Sequence, residues 1–332
     1  MPVVTVDTDW KYRGMQTICC ENRFLRLVIL PDLGAKILRL IHKPSDRNIL
    51  WENPRLVPRT VPVGSSYDDN FFGGWDELFP NDEPITLNGE RYPDHGELWS
   101  QPWRWRIEEN SDKEVVIHLW CFSSILNVRV EKWLSIEAES PIVRFHHRIQ
   151  NQGHTPVDFL WKLHPALAIS PNHRIDLPPC RVLRVDETFS DLAGEEQFDW
   201  PHCRGKKGGR VDLRMVPAPE SPCKEFVYCT DLADGWCAFT DTAAQVGFGL
   251  RFPKDVFRSV WLFLSYGGWR GCSTAVIEPC TAWPKELDTS IANGTCSHLD
   301  AGEALECEVE AVVYHGFRSV KEIRAGGEVI GE

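Results

Sequence analysis

Apolar and polar positions follow each other along most of the chain in short runs, with the period of strands rather than helices. Residues 24–30 (FLRLVIL) form one run that closes at Pro31, and 114–122 (EVVIHLWCF), 126–136 (LNVRVEKWLSI) and 142–149 (IVRFHHRI) form three more. Residues 157–164 (VDFLWKLH) and later runs at 225–229, 236–240, 247–252, 259–265, 274–278 and 305–315 continue the pattern. Each is rich in β-branched or aromatic residues, and turn formers such as Asn110-Ser111-Asp112 and Asn151-Gln152-Gly153 separate them. The nearest thing to a helix is 285–293, one or two turns ending at Asn293-Gly294 in the manner of a C-cap. Many strands at short spacing predict an all-β protein, a large antiparallel sandwich or barrel. Residues 171–222 are rich in Pro and Gly, and are expected to form an irregular excursion or lid within one domain spanning 1–332.

Composition narrows the function classes. The chain has 332 residues, enough to bury a large core without staples. The net charge of −12 and the lack of a Lys/Arg block argue against a nucleic-acid partner. No apolar run approaches the roughly 20 residues of a membrane span, and the first residues lack a secretory pattern. The 12 cysteines include no CxxC pair, which predicts reduced, mostly buried thiols in a cytoplasmic protein rather than a zinc or redox motif. Fourteen Trp is the unusual count, and planar rings suit the C–H faces of sugars.

Three segments concentrate chemistry. The first joins FFGGWDELFPND (71–82) to YPDHGELWSQPW (92–103), where Gly, Asp, Glu, His and Trp crowd together without a strand period. Its paired glycines would permit close approach of a ligand. The second is FLWKLHPAL (159–167), in which His164 is expected to end a strand just before Pro165. The third is AVIEPCTAWP (275–284), in which Glu278 is expected to close an apolar strand before Pro279. A buried carboxylate there would have a raised pKa, suited to a general base. Together they predict a sugar site with an acid/base pair.

The order DHGELW, LHPAL, IEP-TAWP and NGT…L-AGE, over roughly residues 15–315, resembles the aldose 1-epimerases of the galactose-mutarotase-like superfamily. The resemblance implies an antiparallel β-supersandwich with its site in a cleft on a concave sheet. It also implies reversible opening of an aldose ring by acid/base catalysis, with Glu278 as base, His164 as acid and His95 near the ring oxygen. No metal or organic cofactor is implied. The expected partner is a small sugar, with the protein a monomer or homodimer.

Two positions depart from that pattern. The region GGWDELFPND offers no Arg, and SPCKEF (221–226) lacks the Asp that reads a sugar hydroxyl in the galactose enzymes. Lys162 shares a strand face with His164 and Lys224 sits near the missing Asp, so both are candidates to greet an anionic sugar. Asp76 and Glu77 are candidates to bind hydroxyls, and Trp75, Trp99 and Trp269 to stack on the sugar, whereas Trp103 and Trp105 read as core. Two other readings stay open. One is a carbohydrate-recognition protein without turnover. The other is lyase or hydrolase chemistry, with a second carboxylate drawn from Asp76, Glu77, Asp94 or Glu97.

Overall fold

A computed structural model describes residues 3–220 and 222–332. Nearly all the regular structure is antiparallel strand, in two large sheets of twelve and eight strands. The eight-stranded sheet contains the long strands Glu114–Ser123, Val128–Glu137, Ile142–Asn151 and Ala304–His315. Strict alternation turns Val115, Ile117, Leu119, Val130, Leu134 and Phe145 inward, where they meet the inner face of the larger sheet in one continuous core. This is an all-β antiparallel sandwich.

The strands at the centre of the larger sheet run side by side in the order Lys36–His42, Trp75–Leu78, Lys162–Ala168, Cys272–Cys280, Ser259–Trp269 and Cys223–Thr230. Their inner faces (Trp75, Leu163, Leu167, Ile277, Leu262, Val227) belong to the core. Their outer faces carry the polar and aromatic residues described below. The only α-helix among the described residues is Leu287–Ala292, followed by Asn293 and a left-handed Gly294, close to the expected span.

Two expectations need correction. The 157–164 run divides into Val157–Phe159 and Lys162–Ala168, and the second piece continues through Pro165. Likewise Cys272–Cys280 continues through Pro279. Proline normally interrupts a central strand because it donates no ladder hydrogen bond. Here both prolines fall at one gap between the same two strands, where pairing is recorded at Lys162–Cys280 and resumes at Ala166–Val276. The missing donors therefore coincide, and the outer ladders still hold each strand in the sheet. Residues 171–222 also carry five short strands, of which His173–Asp176 extends one sheet and Arg181–Arg184 and Gln197–Asp199 extend the other.

Candidate functional site

The register of the large sheet assembles the site. Asp76 stands opposite His164, Glu278 opposite Trp261, and Trp261 opposite Tyr228. His164 and Glu278 meet across the proline gap, with Nε2 3.8 Å from Oε2. Lys162, two residues from His164 and so on the same face, reaches both Glu278 Oε2 at 2.8 Å and Asp82 Oδ1 at 2.5 Å. Both contacts are ion pairs between fully buried groups, and one ammonium serves the two carboxylates. The Lys162 ammonium also packs 4.4 Å from the centre of the Trp261 ring.

Loops supply the remaining groups. His95 sits in a loop pinned by three backbone bonds: His95 N–H to the Asp82 carbonyl, Gly96 N–H to Pro93 and Glu97 N–H to Phe79. His95 itself adopts a left-handed conformation (φ 56°), followed by Gly96 at φ 69°. A Cβ on Gly96 would lie 2.0 Å from the Phe79 carbonyl oxygen, so only glycine lets the two loops lie this close. The Asn81 side chain ties the same loops by donating to the carbonyls of Glu83 and Pro93. His95 Nδ1 lies 2.6 Å from Asp94 Oδ1, its Nε2 3.5 Å from Asp82 Oδ1, and its ring stacks on Tyr67 at 4.4 Å.

These groups line one cavity of about 240 Å³. Part of its wall is charged (Asp82, His95, Lys162, Glu278) and part is aromatic (Phe71, Phe189, Phe226, Phe263, Trp269). Asp68, Glu83, Asp186 and Lys285 also border it.

Burial and neighbours set the protonation states. Burial pushes Glu278 up to about 7, against the opposing pull of Lys162. Burial, with Lys162, His95 and Lys36, holds His164 well below its ordinary value, so it rests neutral. Burial alone would lower His95, but Asp82 and Asp94 outweigh it and raise its pKa, favouring the cation. Asp82 stays low because Lys162 and His95 overcome its desolvation.

The expected residues divide sharply. Glu278, His164, His95, Lys162 and Trp269 all line the cavity. Trp75 does not, because alternation turns it into the core against Phe145 and Phe248. Glu77 shares that inward face and is consumed by Lys132, His147 and the Trp161 indole N–H. Asp76 is on the outer face but lies beneath the cavity, held by Lys36 and Tyr67. Trp99 is buried behind Tyr67, edge-on at 5.1 Å. Lys224 lies outside the cavity lining, its ammonium 4.8 Å from the centre of the Phe189 ring, which the 171–222 segment folds over it. Among the other carboxylate candidates, Glu97 accepts from Ser123, Ser124 and Gln101, while Asp94 serves His95.

The glycine pair also has a different use from the one expected. A Cβ on Gly74 would press on the backbone of Ile37 and the Lys36 stem, and the Gly73 carbonyl accepts from Lys36 Nζ. A Cβ on Gly73 would lie 2.1 Å from the Trp51 carbonyl oxygen and one on Gly74 2.8 Å from that of Ile37, so the pair serves close backbone packing within the fold.

Sequence reasoning missed Tyr67, Asp82 and the cluster of phenylalanines. Asp82 had a faint signal, being the last residue of the FPND segment already singled out. Tyr67 and Phe189 come from segments without periodicity, and only the folded chain brings them to the cavity. No cluster of three or more His, Cys, Asp or Glu suited to a metal occurs among the described residues, and no helix there is long and apolar enough to cross a membrane.

No protein-family model matches the chain. Solved structures share its fold. A protein from Klebsiella pneumoniae described as a candidate aldose 1-epimerase superposes with a TM-score of 0.71 at 14% identity, covering 91% of this chain and 80% of that one. A galactose mutarotase-like protein from Clostridium acetobutylicum gives 0.68 at 12% identity, covering 95% and 99%. Another from Lactobacillus casei gives 0.62 at 15% identity, covering 90% and 100%. At these identities the likeness establishes the galactose mutarotase-like sandwich fold.

Proposed function

We propose that the protein is a mutarotase that interconverts the anomers of a free aldose by proton transfer. The observation that carries this reading is one small cavity holding a buried carboxyl with a pKa of about 7, a neutral imidazole 3.8 Å from it and a cation-favouring imidazole. In this reading the Glu278 carboxylate takes the proton of the anomeric hydroxyl. The C1–O5 bond breaks as the C1 carbonyl forms, and O5 takes a proton. Rotation about C1–C2 and the reverse transfers close the other anomer. Positioned proton transfer of this kind contributes about 10²–10⁴-fold.

The electrostatics favour His95 rather than His164 as the resident proton donor. Two carboxylates support a cation on His95, while three nearby cationic side chains oppose one on His164. They also favour an uncharged sugar over the anionic sugar that Lys162 and Lys224 first suggested. Lys162 is already paired with two carboxylates, and five carboxylates line the cavity against two lysines and His95. The aromatic wall suits the C–H face of a pyranose, and the charged wall its hydroxyls.

Hydrolysis is less well supported. Asp82 and Glu278 are two close carboxylates, but the Lys162 ammonium fills the space between them where a glycosidic bond would have to lie.

The test is anomer exchange followed by NMR on neutral hexoses and pentoses, a uronate and a 6-phosphohexose. Neutral sugars should exchange fastest, and Glu278→Gln should abolish the acceleration while leaving affinity within about tenfold. Binding without acceleration on any sugar would replace this reading with a recognition protein.

A further inference from the structure

Behind His164 lies a line of buried polar groups that the proposed proton transfers do not use. The Lys36 ammonium donates to Asp76 Oδ2 at 2.5 Å and to the Gly73 carbonyl at 2.8 Å. The Tyr67 hydroxyl lies 2.9 Å from the same Asp76 oxygen and 3.1 Å from His164 Nδ1. All four side chains are at most about 5% exposed, so no bulk water substitutes for a missing partner.

We propose that Lys36, Asp76 and Tyr67 are positioning residues that fix His164 as its Nδ1–H tautomer, leaving Nε2 as a hydrogen-bond acceptor facing the cavity. Donor counting carries the argument. Lysine has three donors and no acceptor, so the oxygen it touches must accept. The Tyr67 hydroxyl donates its single proton to the same Asp76 oxygen that accepts from Lys36. The Tyr67 oxygen is then left to accept, and the one donor facing it is His164 Nδ1–H. The hydrogen bond made by one imidazole nitrogen determines the role of the other.

The groups around His164 are consistent with this. Lys162, Lys36 and His95 surround it with positive charge, and Tyr67 and Phe71 meet its ring edge-on. Among the described residues, Glu278 is the one carboxylate within 4.0 Å of the ring nitrogens, at 3.8 Å and beyond hydrogen-bond reach. With Nε2 as acceptor, two acceptors face each other across that gap whenever Glu278 is ionised. The gap is then completed by a hydroxyl of the bound molecule or by the Glu278 proton. The tautomer follows from the hydrogen-bond chain alone, and only its catalytic consequence rests on the mutarotase reading.

The test is long-range ¹H–¹⁵N NMR of the imidazole nitrogens in the full-length protein at pH 8, with His164 assigned by the signals lost in His164→Gln. In wild type, Nδ1 should carry the proton and Nε2 should show the shift of a bare ring nitrogen. Tyr67→Phe removes the acceptor, and the signals should move to Nε2–H or to a tautomer mixture. In the same variant kcat for anomer exchange should fall at least about tenfold with KM little changed, since a wrong imidazole tautomer costs up to about 10⁴ in rate. A wild-type spectrum showing Nε2–H or the imidazolium overturns the proposal, even if Tyr67→Phe does not fold. An Nδ1–H tautomer that persists in Tyr67→Phe also overturns it. A wild type with the Nδ1–H tautomer and no turnover would sink the mutarotase reading and leave the tautomer assignment standing.

Discussion

Removing the Lys162 charge by Lys162→Met tests the electrostatics of the site most directly. The ammonium lies 2.8 Å from Glu278 Oε2 and is the main influence holding that carboxyl down against burial. Coulomb's law at that separation gives about 1.5 kcal/mol with the dielectric of water, and about 6 kcal/mol at an effective dielectric of about 20. One pKa unit corresponds to about 1.4 kcal/mol. The Glu278 pKa should therefore rise from about 7 by between about one and about four units. Asp82, freed of the same lysine, pushes in the same direction. Even the smallest shift takes the ionised fraction at pH 7 from about half to below about a tenth. Anomer exchange at pH 7 should fall at least about sixfold and recover as the pH is raised. The assay is the pH profile of kcat/KM, paired with a ¹³C NMR titration of the Glu278 carboxyl that needs no turnover. An acidic limb that stays near 7, or moves down, would refute the claim that Lys162 sets this pKa.

Three further predictions use other parts of the molecule. Glu278 has a folded-state pKa raised from 4.5 to about 7, so its stabilising contribution is complete below about 4.5 and lost as pH rises through 7. Wild type should therefore lose up to about 3 kcal/mol relative to Glu278→Gln between pH 4.5 and 8, and parallel Tm profiles for the two proteins would contradict this. Trp75→Ala, deep in the core, should cost about 3–5 kcal/mol in urea unfolding. Trp269→Ala, half-buried on the cavity wall, should weaken sugar binding with a much smaller stability loss, and equal losses would mean that the inward and cavity faces are misassigned. Gly96→Ala should destabilise by more than about 1 kcal/mol and disturb the basic limb of the pH profile, because the loop carrying His95 must leave the Phe79 carbonyl. A variant of wild-type stability and profile would show that this close approach is dispensable.

The strand pattern was legible because each face of each strand meets a different environment. The run at 114–122, for instance, alternates as a half-buried strand must, and the structure extends it by one residue to Glu114–Ser123. The prolines at 165 and 279 misled because proline forbids a donor, not a strand. Nothing local reveals that two donor-free positions on different strands coincide. Local order likewise could not separate Asp76 from Glu77. Adjacent residues on a strand face opposite ways, and the register decides which way each turns.

The sequence by itself determined the all-β class, the strand runs and the three segments that supply His95, His164 and Glu278. Residue type and periodicity are local, and they survive without knowledge of partners. Tertiary structure decided which charges are free. Lys162 became the common partner of two carboxylates, Glu77 a core ion pair with Lys132, and Asp76 the link between Lys36 and Tyr67. Those pairings join residues up to 116 positions apart, Lys162 to Glu278 among them. In a buried site the partner, more than the residue type, fixes charge, pKa and proton position.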